Sequence, residues 1–418
     1  MTYALVNFNN YLGGGETLLV RWSEYLYRKG YRFKSYYVAG SYIENDLRRI
    51  GIPQDYLCPI YSNINYYYLG KSDRKQLRNE ICKYIEEESD VCFISFDARD
   101  MYTVYDIANK NTRFKVAHLI LHAQDNLYAC QTLWDKLKIK MKGNRRFSNR
   151  HMIEKNIALF NVLCGQSVVI PMCERECDLW QNDFGINVDK SKTVPLPTCD
   201  FSKVEHRVPL QNDKILWIGR VVDFKIPALC AMIDYVGNQK KYILTIVGNG
   251  EVDFLHRYIS EKGYSLEQFV FLGEVKYSDL PTVIHKHSIG YACGTSIIEI
   301  GKYGLPVIMA LGSPDYKLFK EQICGGLYIG ISKGNVGGNL HYPGTKDKIV
   351  LIKEAINYLE SDYYRLSQDC YEYLRDNFDS ENNFGRYMEY LSEARSISSD
   401  VKIPSASIVR KLAFKLFK

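Results

Sequence analysis

Gly219 and Arg220, with Lys225 five positions after the arginine, make a G-R-x4-K spacing directly behind the apolar run Lys214-Ile-Leu-Trp-Ile218. Two fixed cations at the carboxyl end of a strand suit the charge of a diphosphate, and they equally fit two solvated surface charges. Three glycine-bearing turns share this placement. Gly13-Gly14-Gly15-Glu16 follows an apolar run at 3–8 and opens an amphipathic stretch. Glycine lets backbone approach a ligand, and a helix start offers amide donors to phosphate, although a tight turn needs glycine just as often. No Gly-Lys-Ser/Thr follows, so the turn is not a P-loop. Ile246-Val-Gly248-Asn-Gly250 either lines a site or turns the chain. In Gly294-Thr295-Ser-Ile-Ile-Glu299-Ile-Gly-Lys-Tyr-Gly304-Leu-Pro-Val-Ile308, glycine and small polar residues open a helix that carries one carboxylate. The isoleucines around Glu299 set it apart from an ordinary solvated face. A carboxylate near a helix start can accept both hydroxyls of a ribose.

The elements that must position these residues follow from hydrophobic patterning. Apolar runs predict strands at 3–8, 33–38, 91–95, 115–121 and 161–164. Helical spacing fills the gaps, as at 16–29, where Leu18, Leu19, Trp22, Tyr25 and Leu26 recur every three or four residues. After residue 200 the pattern restarts, with strands expected at 214–218, 242–247, 269–272 and 289–292. Strands separated by helices imply crossovers and mostly parallel sheets covered on both faces. Two prolines within 193–200 mark a linker. The expected class is α/β, with two Rossmann-like domains facing a central cleft at the carboxyl ends of their strands. The domains are expected at 1–198 and 199–389, with a tail, 390–418, that packs back on the first.

Composition narrows the class. The 418 residues and 48.4 kDa correspond to roughly two or three domains. At 46% hydrophobic and 24% charged, the chain is neither disordered, collagen-like nor coiled coil. Its 12 cysteines are scattered singly, and Cys173 and Cys177 have no second pair to complete a zinc site, so reduced, mostly buried thiols of a cytosolic protein are expected. The first residues lack a signal-peptide pattern, and no apolar run reaches the roughly 18 residues of a membrane helix, so a soluble or peripheral protein is expected. The net charge of +6 is local: 136–150 holds seven cations and 402–418 holds five, both without an acid. A helix from Ile408 would gather Ile408, Val409, Leu412, Ala413, Leu416 and Phe417 on one broad face. That composition suits an interfacial helix on anionic lipid; packing against the domain and a solvated face are the competing readings. No nucleic-acid-binding motif accompanies the cations, and no nucleic-acid partner is expected.

Taken in order, Gly-Gly-x-Glu, G-R-x4-K, Val247-Gly-x-Gly250, Phe271-Leu-Gly273 and Glu299-x4-Gly-Leu-Pro-Val-Ile resemble GT-B glycosyltransferases of family 4, which are retaining, metal-independent and use nucleotide-activated sugars. The resemblance covers nearly the whole chain and is strongest over 213–308. It implies an N-terminal acceptor-binding domain and a C-terminal nucleotide-sugar-binding domain. Arg220 and Lys225 match the cationic pair that binds the donor diphosphate and stabilises the leaving nucleotide. Glu299 matches the second glutamate of an E-x7-E motif, which binds the ribose. The loop carrying Leu272, Gly273, Glu274 and Val275 matches the one whose backbone faces the base, and Gly14 and Gly15 match the loop against diphosphate and sugar. Gly219, Gly248, Gly250, Gly294 and Thr295 fall in the same donor-binding set, and His122 resembles a histidine that contacts the transferred sugar or the acceptor. One position departs: Tyr291 stands where the first glutamate belongs, eight residues before Glu299. A tyrosine offers a hydrogen bond but no charge near neutral pH, so altered donor recognition or loss of activity is implied there. The resemblance further implies a UDP- or GDP-linked donor, no cofactor and no metal. The implied acceptor is a glycan or lipid-linked sugar of bacterial surface polysaccharide or glycolipid synthesis, with the enzyme on the cytoplasmic face of the membrane through its two basic segments. A non-catalytic binding or scaffold protein and a nucleotide-sugar epimerase share the architecture.

Overall fold

The computed structural model describes residues 1–9, 14–62, 64–109, 111–121, 150–328, 334–337, 349–406 and 411. The chain divides into two units, Met1–Leu196 with Glu381–Lys418, and Pro197–Ser380.

In the first unit strands and helices alternate: β1 (Thr2–Val6), α1 (Gly14–Arg28), β2 (Phe33–Val38), α2 (Tyr42–Arg49), β3 (Leu57–Ile60), α3 (Lys71–Cys82), β4 (Val91–Ser95), α4 (Ala98–Ala108), β5 (Phe114–Ile120), α5 (Arg150–Gln166), β6 (Val168–Pro171) and α6 (Glu174–Phe184). The six strands pair in parallel in the order β3-β2-β1-β4-β5-β6. Helices cover both faces, so the strands are buried almost throughout and read as unbroken apolar runs. Residues 161–164, expected as a strand, belong instead to α5. Its buried positions Met152, Asn156, Leu159, Phe160 and Leu163 follow helical spacing, and the β-branched run that pairs with β5 begins only at Val168.

The second unit repeats the plan with β7 (Lys214–Ile218), α7 (Ile226–Gln239), β8 (Ile243–Val247), α8 (Val252–Glu261), β9 (Phe269–Gly273), α9 (Leu280–Ile284), β10 (Ile289–Ala292), α10 (Ser296–Gly301) and β11 (Val307–Met309). These strands are also parallel, in the order β9-β8-β7-β10-β11. A short antiparallel pair, β12 (Ile323–Cys324) and β13 (Val350–Leu351), precedes α11 (Ile352–Ser361) and α12 (Tyr363–Phe378). The chain then enters α13 (Ser380–Ser392) and β14 (Arg395–Ser396). Phe384, Tyr387 and Leu391 of α13 join the first unit's core, where Trp22 lies 4.9 Å from Tyr387, and β14 pairs antiparallel with β5. The return therefore begins at Glu381, ahead of the expected 390.

In each sheet the order reverses between the first and fourth strands of the unit. The loops leaving β1 and β4, and those leaving β7 and β10, diverge at their carboxyl ends and open a ligand position there. Among the described residues no helix is long and apolar enough to cross a membrane, and the cysteines are free and mostly buried.

Candidate functional site

The second unit's switch point is built by three stacked loops. Gly219 follows β7, Gly248 and Gly250 follow β8, and Gly273 closes β9. The Gly219 amide donates to the Val247 carbonyl at 3.0 Å, Val221 to Asn249 at 2.8 Å, and Gly248 to Gly273 at 2.7 Å. Gly248 and Gly250 take φ of +134° and +129°. A Cβ on them would stand 2.2 Å from the Gly219 oxygen and 2.1 Å from the Val221 oxygen. The two glycines thus let the β8 loop lie against the β7 loop and so fix Gly219 and Arg220. The β9 loop is tied in by the Asn249 amide, which donates to Glu274 at 3.2 Å, while Val275 is half-buried against the core.

The cations predicted from sequence flank the switch point. Arg220 is exposed and makes no hydrogen bond or ion pair among the described residues. Lys225 stands immediately before α7 and turns back. Its Nζ lies 3.2 Å from the point where a Cβ on Gly219 would sit, and Ser296 Oγ lies 3.7 Å from the same point. Burial pushes the Cys293 thiol up from its ordinary value, and the adjacent Lys225 ammonium opposes that rise. Gly219, Lys225, Cys293 and the start of α10 thus converge, with Gly294 half-buried and Thr295 exposed beside them. A cation and a helix start facing one point are suited to an anionic group.

Glu299 lies in α10, and its surroundings were not anticipated. Its Oε2 accepts from the Tyr277 hydroxyl at 3.0 Å and from Lys302 Nζ, and Lys302 Nζ also donates to the Tyr277 oxygen at 2.8 Å. Lys302 is 3% exposed. Its spacing from Glu299, three residues along an otherwise apolar helix, was a readable signal for the ion pair. Tyr277, 22 positions away, left none.

Tyr291 corrects an expectation. It is not a donor contact. It belongs to β10, is fully buried, and its ring lies 5.8 Å from Trp217. Its hydroxyl donates to the Ala228 carbonyl of α7 at 3.1 Å. Strand geometry turns this side chain into the core, so it meets no ligand.

In the first unit, Gly14 and Gly15 open α1, and a Cβ on Gly15 would be 3.4 Å from Asn7 Nδ2 at the end of β1. Beyond β4, Asp97 caps α4 by accepting from the Arg99 and Asp100 amides at 2.7 and 3.0 Å, and the Arg99 guanidinium returns to Asp97 at 2.8 Å and to Asn9. Asp100 is buried, accepts from the Phe8 amide at 3.0 Å, and burial holds its carboxyl well above the usual range. Burial also raises Glu16. This polar cluster at the first unit's own switch point escaped the sequence reading, because its members come from separate loops. His122 lies outside the described residues, as do 136–149 and most of 402–418. The described histidine of the neighbouring strand, His118, is buried against Ser95, with Nδ1 2.9 Å from its hydroxyl, and burial alone pushes it down to about 3. Among the described residues no three His, Cys, Asp or Glu side chains group as a metal site.

No protein-family model matches the chain, and no curated protein sequence does. Solved structures match along its length. A glycosyltransferase from Rickettsia africae ESF-5 is 14% identical, covers 94% of this chain and 98% of its own, and superposes with a TM-score of 0.60. Anabaena HepE, in complex with UDP and glucose, is 15% identical over 94% of this chain and 100% of its own, with a TM-score of 0.58. The lipopolysaccharide outer core galactosyltransferase WaaB is 12% identical over 94% and 99%, with a TM-score of 0.60. The chain has the GT-B fold. In that fold, Gly219, Arg220 and Lys225 sit on the second Rossmann-like unit, and Gly14 and Gly15 on the first.

Proposed function

We propose that this GT-B chain is a retaining glycosyltransferase of the family 4 type. It moves a sugar from a UDP- or GDP-linked donor to a glycan or lipid-linked acceptor in bacterial surface polysaccharide or glycolipid synthesis. The convergence of Lys225, Gly219 and Ser296 at one point, with exposed Arg220 alongside, carries this reading. The UDP bound in the Anabaena structure of the same fold supports it.

The donor diphosphate is held by Arg220, Lys225 and the amides at the start of α10, while the base lies along the Gly273–Val275 backbone and the ribose reaches Glu299. As the bond from the sugar C1 to the phosphate oxygen breaks, Arg220 and Lys225 take up the charge developing on the diphosphate. The acceptor hydroxyl forms the new C1–O bond on the same face, and its proton passes to the departing phosphate oxygen. The net configuration is retained, and no metal takes part in this scheme. The Gly14 and Gly15 loop lies against the diphosphate and sugar, and the acceptor is assigned to the first unit.

Tyr291 favours a second reading. With a core residue where the family carries its first glutamate, the chain binds a nucleotide sugar without transferring it. A thermal-shift screen against UDP, GDP and ADP and their sugar conjugates tests both readings. Stabilisation by a diphosphate with sugar transfer supports the enzyme, stabilisation without transfer supports the binding protein, and no stabilisation by any of them contradicts both.

A further inference from the structure

The Lys302–Tyr277–Glu299 cluster places a buried ammonium in the second unit. A buried ammonium is costly, and a buried ion pair is commonly matched in stability by apolar side chains of the same size, so stability alone does not account for the cluster. The cluster joins two elements. Glu299 and Lys302 lie in and just after α10, whereas Tyr277 lies in the loop that follows β9. The Lys302 Nζ stands 5.0 Å from the Tyr277 ring centroid and 5.1 Å from that of Tyr303, and these rings enclose the charge. Burial works to lower the Lys302 ammonium, but the Glu299 carboxylate and the Tyr277 hydroxyl outweigh it and hold it above its ordinary value. The lysine therefore stays charged and grips one defined oxygen of Glu299, the atom Oε2 that the Tyr277 hydroxyl also holds.

We propose that Lys302 is a positioning residue which, with Tyr277, sets the Glu299 carboxylate for the two ribose hydroxyls of a nucleoside diphosphate. This rests on the reading of the second unit as the donor site. A carboxylate whose Oε2 is already held by Tyr277 and Lys302 loses little freedom when it accepts hydroxyls, so the ribose contact is preorganised. The tyrosine also couples the base-facing loop to the ribose contact, so both parts of a nucleoside are gripped by one linked set.

The test measures binding of UDP, GDP and their 2′-deoxy counterparts to the full chain by calorimetry, for wild type, Lys302→Met and Tyr277→Phe. Wild type is expected to prefer the ribonucleotide by about tenfold, the value of one hydrogen bond to a charged group. Lys302→Met is expected to reduce that preference to about twofold or less, while the diphosphate still binds both forms. Tyr277→Phe, a change at an exposed ring that leaves the buried charge paired, is expected to give an intermediate ratio and keeps the test available should Lys302→Met fail to fold. A merely structural lysine would weaken both nucleotides equally and leave the ratio untouched. An unchanged ratio in the folded variants overturns the positioning role and leaves the donor site standing. No binding of any diphosphate by wild type overturns both.

Discussion

The Tyr291 hydroxyl donates to the Ala228 carbonyl at 3.1 Å, from a ring with no exposure to solvent. This bond fastens β10 to α7 beneath the switch point, behind the surface that a donor would touch. Tyr291→Phe is expected to cost about 1 kcal/mol of stability through the lost buried hydrogen bond. Nucleotide affinity and turnover should stay at wild-type values. Urea unfolding and a donor titration check both parts, and a change in affinity at unchanged stability would return Tyr291 to the site.

The stacked loops predict a different outcome at Gly248. A Cβ there would stand 2.2 Å from the Gly219 carbonyl oxygen, which is backbone and cannot swing aside. Gly248→Ala should therefore cost more than about 2 kcal/mol and weaken nucleotide binding along with stability, because the β7 loop must move. Paired urea and calorimetric measurements on the folded fraction follow both effects. A neutral substitution would mean that the loops are not held by this contact.

His118 gives a pH signature. Its folded value, pushed down to about 3 by burial, lies below the ordinary imidazole value. Between those values the unfolded chain binds more protons, so the stability tied to this residue is fully present above the ordinary value, near pH 6.5, and is lost as pH falls toward 3. Buried Asp100, whose carboxyl is raised, acts in the opposite direction, so the comparison must be between variants. His118→Leu removes the imidazole titration and should lose less stability than wild type between pH 6.5 and pH 4 when melting is followed by circular dichroism. Parallel curves would show that the imidazole is not held neutral.

Much of the fold was legible because buried parallel strands are apolar from end to end, as at Ile215, Leu216 and Trp217. Residues 161–164 misled for the same reason: an apolar run of that length fits a buried helix equally well, and only the spacing back to Met152 and Asn156 separates them. The loops after β7 and β8 were recognisable as glycine turns, yet the contact of Gly248 with Gly219 joins residues 29 positions apart and has no local signature. Counting eight residues back from Glu299 reached Tyr291 correctly but could not reveal that the count ends inside a strand. Lys302 was readable and overlooked. Tyr277 was not readable, since its partnership with Glu299 depends on how the β9 loop returns to α10.

The most direct measurement is sugar transfer from a nucleotide-sugar donor by wild type, Arg220→Ala and Lys225→Ala, with melting temperatures recorded on the same samples. Each substitution removes a cation placed for the departing diphosphate, and each should lower kcat by about 10²- to 10³-fold with melting unchanged. Wild-type turnover by either folded variant would contradict the assignment of these two residues as the groups that stabilise the leaving nucleotide.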